Sequence, residues 1–424
     1  MIRTEYPRLD EVVYRETLSN GLTVQVLPRR GFSRKAAYLT VDYGSVHTRF
    51  TLEGKEYETP PGVAHYLEHQ IFEMPDERDV SAEFASLGAF VNAYTSSDLT
   101  SYYFSCTENF RQCLELLLEF VSNLHVSEES VEKERGIIDQ EIGMTEDSPD
   151  SRIYENLLTG VYVNHPVRIP ILGTRESIRD ITPQVLNLCH RAFYTPGNMV
   201  LSVVGDVEPE EVSAIALAVL GPEPRPRGIK ETHWPEPSAA AEREITARME
   251  ISMPMFCLAF KSPPCGSGEA MMRKEMTADL ASRLLCGDTS QMYQKLYEEG
   301  VIDSSFGGGF QILGDGAMMI FSGDSDDPRR VREEILAEAQ RICREGISRE
   351  DFLRMKRSVL GEMIRGLDSF EGLCSRLYIY HLCDYDFFRF PALFDTIEPR
   401  EVLDFLAEII REENSCLSVI YPNE

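Results

Sequence analysis

Short runs of alternating apolar and polar residues open the chain. The turn pair Asn20-Gly21 leads into Gly21-Leu-Thr-Val-Gln-Val-Leu, and Lys35-Ala-Ala-Tyr-Leu-Thr-Val-Asp-Tyr follows a polar loop. Both patterns predict strands bounded by turn signals. A short helix is predicted from Val80 to Ser86, then strands over Ala89–Thr95 and Thr100–Ser105. From Asn109 to Asn123 the period lengthens to that of a helix, with Phe110, Cys113, Leu114, Leu117 and Val121 on one face.

Residues 221–243 break this rhythm. Gly221-Pro-Glu-Pro-Arg-Pro-Arg-Gly and Trp234-Pro-Glu-Pro-Ser-Ala-Ala-Ala read as a semi-rigid linker. The flanking halves repeat weakly. Ile181-Thr-Pro183 with Leu201-Ser-Val-Val closes the first, and Ile397-Glu-Pro399 with Leu417-Ser-Val-Ile closes the second, 216 residues on. The Thr100–Ser105 strand and its following helix find counterparts in Ala317-Met-Met-Ile-Phe-Ser and in Val331 to Arg344. The expectation is an α+β fold of two homologous half-domains, each a mainly antiparallel sheet covered by helices. These are 1–220 and 244–424, joined by the linker.

Composition narrows the class without naming a function. The 424 residues are 43% hydrophobic and 26% charged, ordinary for a soluble globular protein. A net charge of −28 excludes nucleic acid and anionic membrane as natural partners; solubility is its simplest meaning, and basic peptides remain compatible. No apolar run is long enough for a membrane helix, and Met1-Ile-Arg-Thr-Glu-Tyr-Pro has no signal-peptide core. Ten scattered cysteines without a C-x-x-C pair suit reduced thiols, so the expected location is cytoplasmic.

The chemistry concentrates in His65-Tyr-Leu-Glu68-His69, an H-x-x-E-H motif. On a helix, His65 and His69 stand one turn apart on one face, where two imidazoles can grip one metal ion. Glu68 shares that side, placed to take a proton from a water that the metal activates. A catalytic zinc needs a third protein ligand. Glu134 and Glu141, seven apart on a helix that Ser127 is placed to cap, share a face over two turns. One can bind metal while the other supports the site from behind, and spacing alone does not choose between them. The halves are chemically unequal. No histidine occurs from Trp234 to Tyr380, and Glu141 maps at the 216 offset onto Arg357.

Together these residues resemble the pitrilysin/insulinase zinc metallopeptidases, especially short bacterial members similar to mitochondrial processing peptidase subunits. The likeness runs through Thr17-Leu-Ser-Asn-Gly-Leu-Thr-Val, Asp42-Tyr-Gly-Ser45, Gly62-Val-Ala-His-Tyr-Leu-Glu-His-Gln-Ile-Phe72 and Gly88-Ala-Phe-Val-Asn92-Ala93-Tyr-Thr95. It continues through Glu134-Arg135 with Glu141, His165-Pro166, Gly173-Thr174, Ser177-Ile178, Tyr194-Thr-Pro-Gly-Asn198-Met and Val203-Val-Gly-Asp-Val. The resemblance implies His65, His69 and Glu141 as zinc ligands, Glu68 as general base and Glu134 as the acid orienting a ligand. It also implies a sheet edge around Asn92-Ala93 on which a substrate peptide adds as a strand, and a clam-shell arrangement of halves. In the family, an arginine and a tyrosine in the second half bind substrate and stabilise the oxyanion. Here the matching stretch is Leu296-Tyr297-Glu-Glu-Gly300-Val-Ile-Asp303, with Tyr297 in place of the arginine and Asp303 near the tyrosine position. The expected partners are therefore a peptide substrate and a second subunit, in a homodimer or in a heterodimer with a homologous chain supplying the Arg/Tyr pair.

Three functions fit: a zinc peptidase acting on extended peptides, a subunit trimming the leader of a ribosomally made peptide, and a non-catalytic peptide-binding or assembly subunit with a structural zinc. An intact Glu68 argues against the last, since a structural site needs no base. Gly307-Gly308-Gly309 is expected to be a plain turn. His47, His125, His165, His190, His233 and His381 are expected to be structural.

Overall fold

The computed structural model describes residues 1–75, 78–232 and 234–423. It contains two compact units, each gathered from separated stretches. Met1–Ile142, Pro170–Thr232 and Ile364–Arg389 form the first; Gly143–Ile169, His233–Met363 and Phe390–Glu424 form the second.

The first unit holds a seven-stranded sheet. Its order is Ile2–Tyr6, Glu11–Thr17, Thr23–Pro28, Met199–Gly205, Lys35–Val41, Thr100–Cys106 and Phe90–Thr95. Every neighbouring pair is antiparallel except Thr23–Pro28 with Met199–Gly205. Because side chains alternate faces along a strand, the central strands carry two different sets. Val24, Val26, Ala37, Leu39, Val41, Leu201 and Val203 enter the core, with the helices Phe110–Ser122 and Pro209–Leu220 packed over them. Gln25, Tyr38 and Ser202 point the other way, toward the helix Phe370–Leu382. There Gln25 Nε2 donates to Leu377 O at 2.9 Å, and Cys374 Sγ lies 3.8 Å from Ser202 O. With both faces covered, the middle strands are buried almost throughout.

The second unit holds a five-stranded sheet in the order Glu244–Met249, Ser415–Pro422, Met255–Ser262, Gly316–Asp324 and Gly307–Leu313. Its first pair alone is parallel. This reproduces the order and sense of the last five strands of the first sheet. The weak repeat in the sequence is thus a duplicated topology, and the architecture is α+β in two homologous halves.

Each unit also takes one helix from the other half of the sequence. Pro149–Val161 packs on Ser415–Pro422 and Met255–Ser262 in the second unit, while Phe370–Leu382 packs on Met199–Gly205 and Lys35–Val41 in the first. The proline-rich stretch contributes a short strand, Ile229–Glu231, paired with Arg49–Leu52. Farther along, Glu236 accepts the backbone N–H groups of Val163, Asn164 and His165 at 2.7, 2.8 and 2.9 Å and the buried Lys261 ammonium at 2.6 Å.

One expectation fails. Gly307-Gly308-Gly309 opens an edge strand and is not a turn. The reason is close packing. A Cβ on Gly308 would lie 2.5 Å from the Phe321 ring and 2.9 Å from Ile320 O, so this strand can approach its neighbour only without a side chain. Among the described residues, no helix is long and apolar enough to cross a membrane.

Candidate metal centre

Residues Val63–Ile71 form the helix that carries the H-x-x-E-H motif. Its entry is set by Gly62 at φ 96°, where a Cβ would stand 2.6 Å from Leu172 O; only glycine fits both the left-handed backbone and the close approach. Ala64, Tyr66, Leu67 and Ile71 are buried and fix the helix on the core, leaving the His65 and His69 side for chemistry. The second helix, Glu128–Glu146, opens with Ser127 Oγ accepting the Ser130 N–H at 3.0 Å, as its sequence predicts. Val131, Ile138 and Ile142 bury one stripe of it.

Side chains outside the motif's histidines and glutamate lock these helices together. Tyr66 Oη donates to Val131 O. Gln70 Nε2 donates to Ser130 Oγ at 3.1 Å and to His125 O at 3.2 Å. The result is a convergence. The ligating atoms of His65, His69 and Glu141 lie within 4.8 Å of one another, the one such cluster among the described residues. Glu141 Oε2 is 3.7 Å from His65 Nε2 and 3.5 Å from His69 Nε2. Glu134, 4% exposed, stands on the far side of His69, its Oε1 2.6 Å from Nδ1. The two glutamates that the sequence left interchangeable are thus separated: Glu141 faces both Nε2 atoms, and Glu134 faces the back of one ring.

Electrostatics match this arrangement. Burial, helped by the neighbouring His69, pulls the His65 imidazole down to about 3, so the ring is neutral and keeps one nitrogen lone pair to offer a metal. Burial also pulls His69 down, but Glu134 and then Glu141 and Glu68 outweigh it and hold the ring above the usual histidine range. Glu68 is raised, chiefly by burial, against the opposing donation of Thr95 Oγ1 to its Oε2 at 2.6 Å. Two imidazoles and a carboxylate, one imidazole backed by a second carboxylate, fit a divalent metal that prefers nitrogen and oxygen ligands in an open site.

Thr95 has no signal in the sequence beyond its place in the motif; only the pairing of its strand beside the first helix brings it to Glu68. Asn92 and Ala93 lie on that same strand, Phe90–Thr95, at the edge of the sheet. Asn92 is exposed, and its Oδ1 accepts the Ala93 N–H at 2.9 Å. The other histidines stay apart from the cluster. His47 Nδ1 accepts from Gly44 N–H at 2.9 Å, His165 pairs with Asp315 at 2.5 Å and caps a turn, and His190 stacks on Tyr194. His125 lends only its carbonyl to Gln70, and His381 is half-buried. His233 lies outside the described residues. In the second unit, Tyr297 is 51% exposed and stacks on Tyr293 at 5.8 Å. Asp303 accepts from Ser305 N and Oγ, which hold its carboxyl below the usual range.

Residues 36–175 match the family model described as Insulinase (Peptidase family M16), and residues 180–359 match the one described as Peptidase M16 inactive domain. The chain is 35% identical to the uncharacterized zinc protease YmfH of Bacillus subtilis, over 99% of its own length and 98% of that protein. It is 34% identical to a crystal structure from Alicyclobacillus acidocaldarius described as an M16-like peptidase, with a TM-score of 0.93 over 98% of this chain and 99% of that one. A protein of Arabidopsis thaliana named as the beta subunit of a mitochondrial-processing peptidase is 32% identical over 46% of this chain and 36% of its own.

Proposed function

The chain belongs to the insulinase family, peptidase family M16, and from that premise we propose that it is a zinc-dependent peptidase acting on extended peptides, with His65, His69 and Glu141 holding the metal and Glu68 as general base. The observation that carries the reading is the convergence of three ligating atoms beside a fourth, acidic group that is half-buried and left out of the ligand set.

When bound, zinc supplies Lewis acidity, lowering the pKa of water toward neutrality and polarising a carbonyl. The chain's own residues do the rest. Glu68 holds its charge on an oxygen fixed by the Thr95 hydroxyl, takes a proton from the attacking water at that carboxylate and returns it to the departing amine. Glu134 would fix the His69 ring by accepting from Nδ1, leaving Nε2, which faces Glu141 Oε2, to hold a metal. The strand Phe90–Thr95 offers an edge to which an extended peptide adds, reading backbone more than side chain.

The oxyanion-binding pair comes from a second, homologous subunit. Tyr297 and Asp303 stand at the matching positions here, and an ionised aspartate repels the charge such a site must stabilise. That the Arabidopsis relative is named a subunit supports the same arrangement. The ten free cysteines suit a reducing compartment, the cytoplasm.

The test is peptide cleavage by the zinc-loaded chain, alone and mixed with homologous chains that carry the arginine and tyrosine. Glu68→Gln is expected to keep zinc and lose at least about a hundredfold in rate. Peptidolysis that survives the change would make the zinc structural and the chain an assembly subunit. A rate per zinc that no homologous chain raises would remove the second-subunit reading.

A further inference from the structure

The edge strand Phe90–Thr95 has two sides of different character. Among the described residues it pairs only with Thr100–Cys106. At the hairpin Ser96 N–H donates to Leu99 O at 2.8 Å. Counting outward from that bonded pair, an antiparallel ladder makes Tyr94, Asn92 and Phe90 bond to the partner strand and turns the N–H and C=O groups of Thr95, Ala93 and Val91 to the open edge. The Ala93 N–H agrees, since its acceptor is the neighbouring Asn92 side chain.

Side chains alternate in the same way. Thr95 reaches Glu68, while Val91 and Ala93 on that face lean on the core. Phe90, Asn92 and Tyr94 point to the opposite face. There Tyr94 Oη meets Tyr378 Oη, and the Tyr94 ring stands 6.4 Å from Tyr103. Tyr103 stacks on Tyr38 at 4.5 Å with their planes 4° apart, and Phe90 lies 6.5 Å from Tyr103. Phe90 is 59% exposed. A single exposed phenylalanine needs no explanation on its own. This one ends a row of packed aromatic rings, on a strand whose polar edge is open and leads to the candidate base.

We propose that Phe90 is a specificity-determining residue, which with Tyr103 receives a large apolar, preferably aromatic, side chain of a peptide added antiparallel along this edge. The proposal rests on the strand-addition reading above and deepens it by naming a substrate class. Phe90 turns its own N–H and C=O away from the open edge, so the peptide residue opposite it falls in a non-hydrogen-bonded pair. Such pairs bring Cα atoms to about 4.5 Å and side chains closest together. Phe90 and Thr95 are five positions apart, roughly 17 Å of strand at about 3.3 Å per residue. The favoured substrate therefore carries its aromatic residue five positions from the one abreast of Thr95 and Glu68, on one side of the cut bond. Peptides too short to reach Phe90 lose this contact.

The experiment walks one phenylalanine through an otherwise alanine- and serine-rich fluorescent decapeptide. Anisotropy gives the Kd of each peptide on the zinc-loaded Glu68→Gln chain, where binding is read without turnover. One position is expected to bind about three- to tenfold tighter than the all-alanine parent, the range of an aromatic pair. Adding Phe90→Ala should collapse that ratio to one, and Phe90→Leu should keep part of it. A preference that survives Phe90→Ala, or no preferred position at all, would overturn the proposal while leaving strand addition intact. Failure of every peptide to bind would sink strand addition and this inference together. Phe90 is a surface residue, and the thermal transition of each variant checks that the fold is kept.

Discussion

Glu134 offers the sharpest test of how the metal centre is held. It is buried, and its carboxylate Oε1 sits 2.6 Å from His69 Nδ1. That contact fixes one tautomer and one ring orientation, leaving Nε2 aimed at Glu141 Oε2 3.5 Å away. Glu134→Ala removes the acceptor, frees the ring to turn and strands a buried N–H. Loss of such an outer carboxylate weakens metal binding by about ten- to a hundredfold, or about 1.4 to 2.7 kcal/mol. Glu134→Gln can still accept the Nδ1–H through its amide oxygen but carries no charge, so it should fall between the wild type and Ala. Glu141→Gln, which alters a proposed direct ligand, should exceed both. The assay is zinc competition against a chelating dye at fixed pH, with thermal unfolding of the metal-free chains in parallel. A zinc Kd for Glu134→Ala within twofold of the wild type, in a folded protein, would show that Glu134 merely packs against His69. A larger loss for Glu134 than for Glu141 would reverse their roles.

Two further outcomes are expected. Gly308→Ala forces a Cβ to 2.5 Å from the Phe321 ring and should cost about 1 to 3 kcal/mol in urea unfolding. Gly309→Ala, which meets nothing within 4 Å, should cost less, and equal costs would show that backbone freedom, not crowding, selects these glycines. Burial holds His190 down at about 4 against an ordinary 6.5. The fold disfavours its charged form, so this contribution, at most about 3 kcal/mol, is fully present above pH 6.5 and is lost as the pH falls toward 4. Denaturant unfolding across that window should show His190→Gln losing less stability in acid than the wild type; parallel curves would place the acid sensitivity elsewhere.

What could be read in the sequence was whatever depends on local spacing. The one-turn separation of His65 and His69, the Ser127 cap, the helices over 80–86 and 110–122 and the strand at Asn92 all follow from period and turn chemistry, while that strand's place at the sheet edge came only with the family resemblance. The repeat at 216 residues was enough to anticipate two like sheets, because strand order is inherited with the sequence. Anything that depends on distant packing was hidden. Glu134 and Glu141 share a helical face, and only the packing of Val63–Ile71, which supplies His65 and His69 as their partners, separates them. Thr95 is 27 residues from Glu68 and touches it only once its strand is laid beside the first helix. A glycine run means a turn when read locally, and it took Phe321, folded over it from the neighbouring strand, to make a strand its better use.

The helix borrowed by the first sheet sets an order on synthesis. All residues of the candidate centre have left the ribosome once Glu146 has emerged. The helix that closes the sheet's other face ends at Leu382, about 240 residues later. At translation rates of about 5 to 20 residues per second, that is roughly 12 to 50 seconds in which Gln25 and Tyr38, joined by Ser202 once its own strand is made, lack their helix. During that interval the nascent chain already has the side chains of the candidate centre but lacks the helix that covers one face of its sheet. Assembly of the candidate centre and closure of the sheet are therefore separate steps of synthesis, and a chain truncated before residue 370 would carry every candidate ligand and still be an incomplete fold.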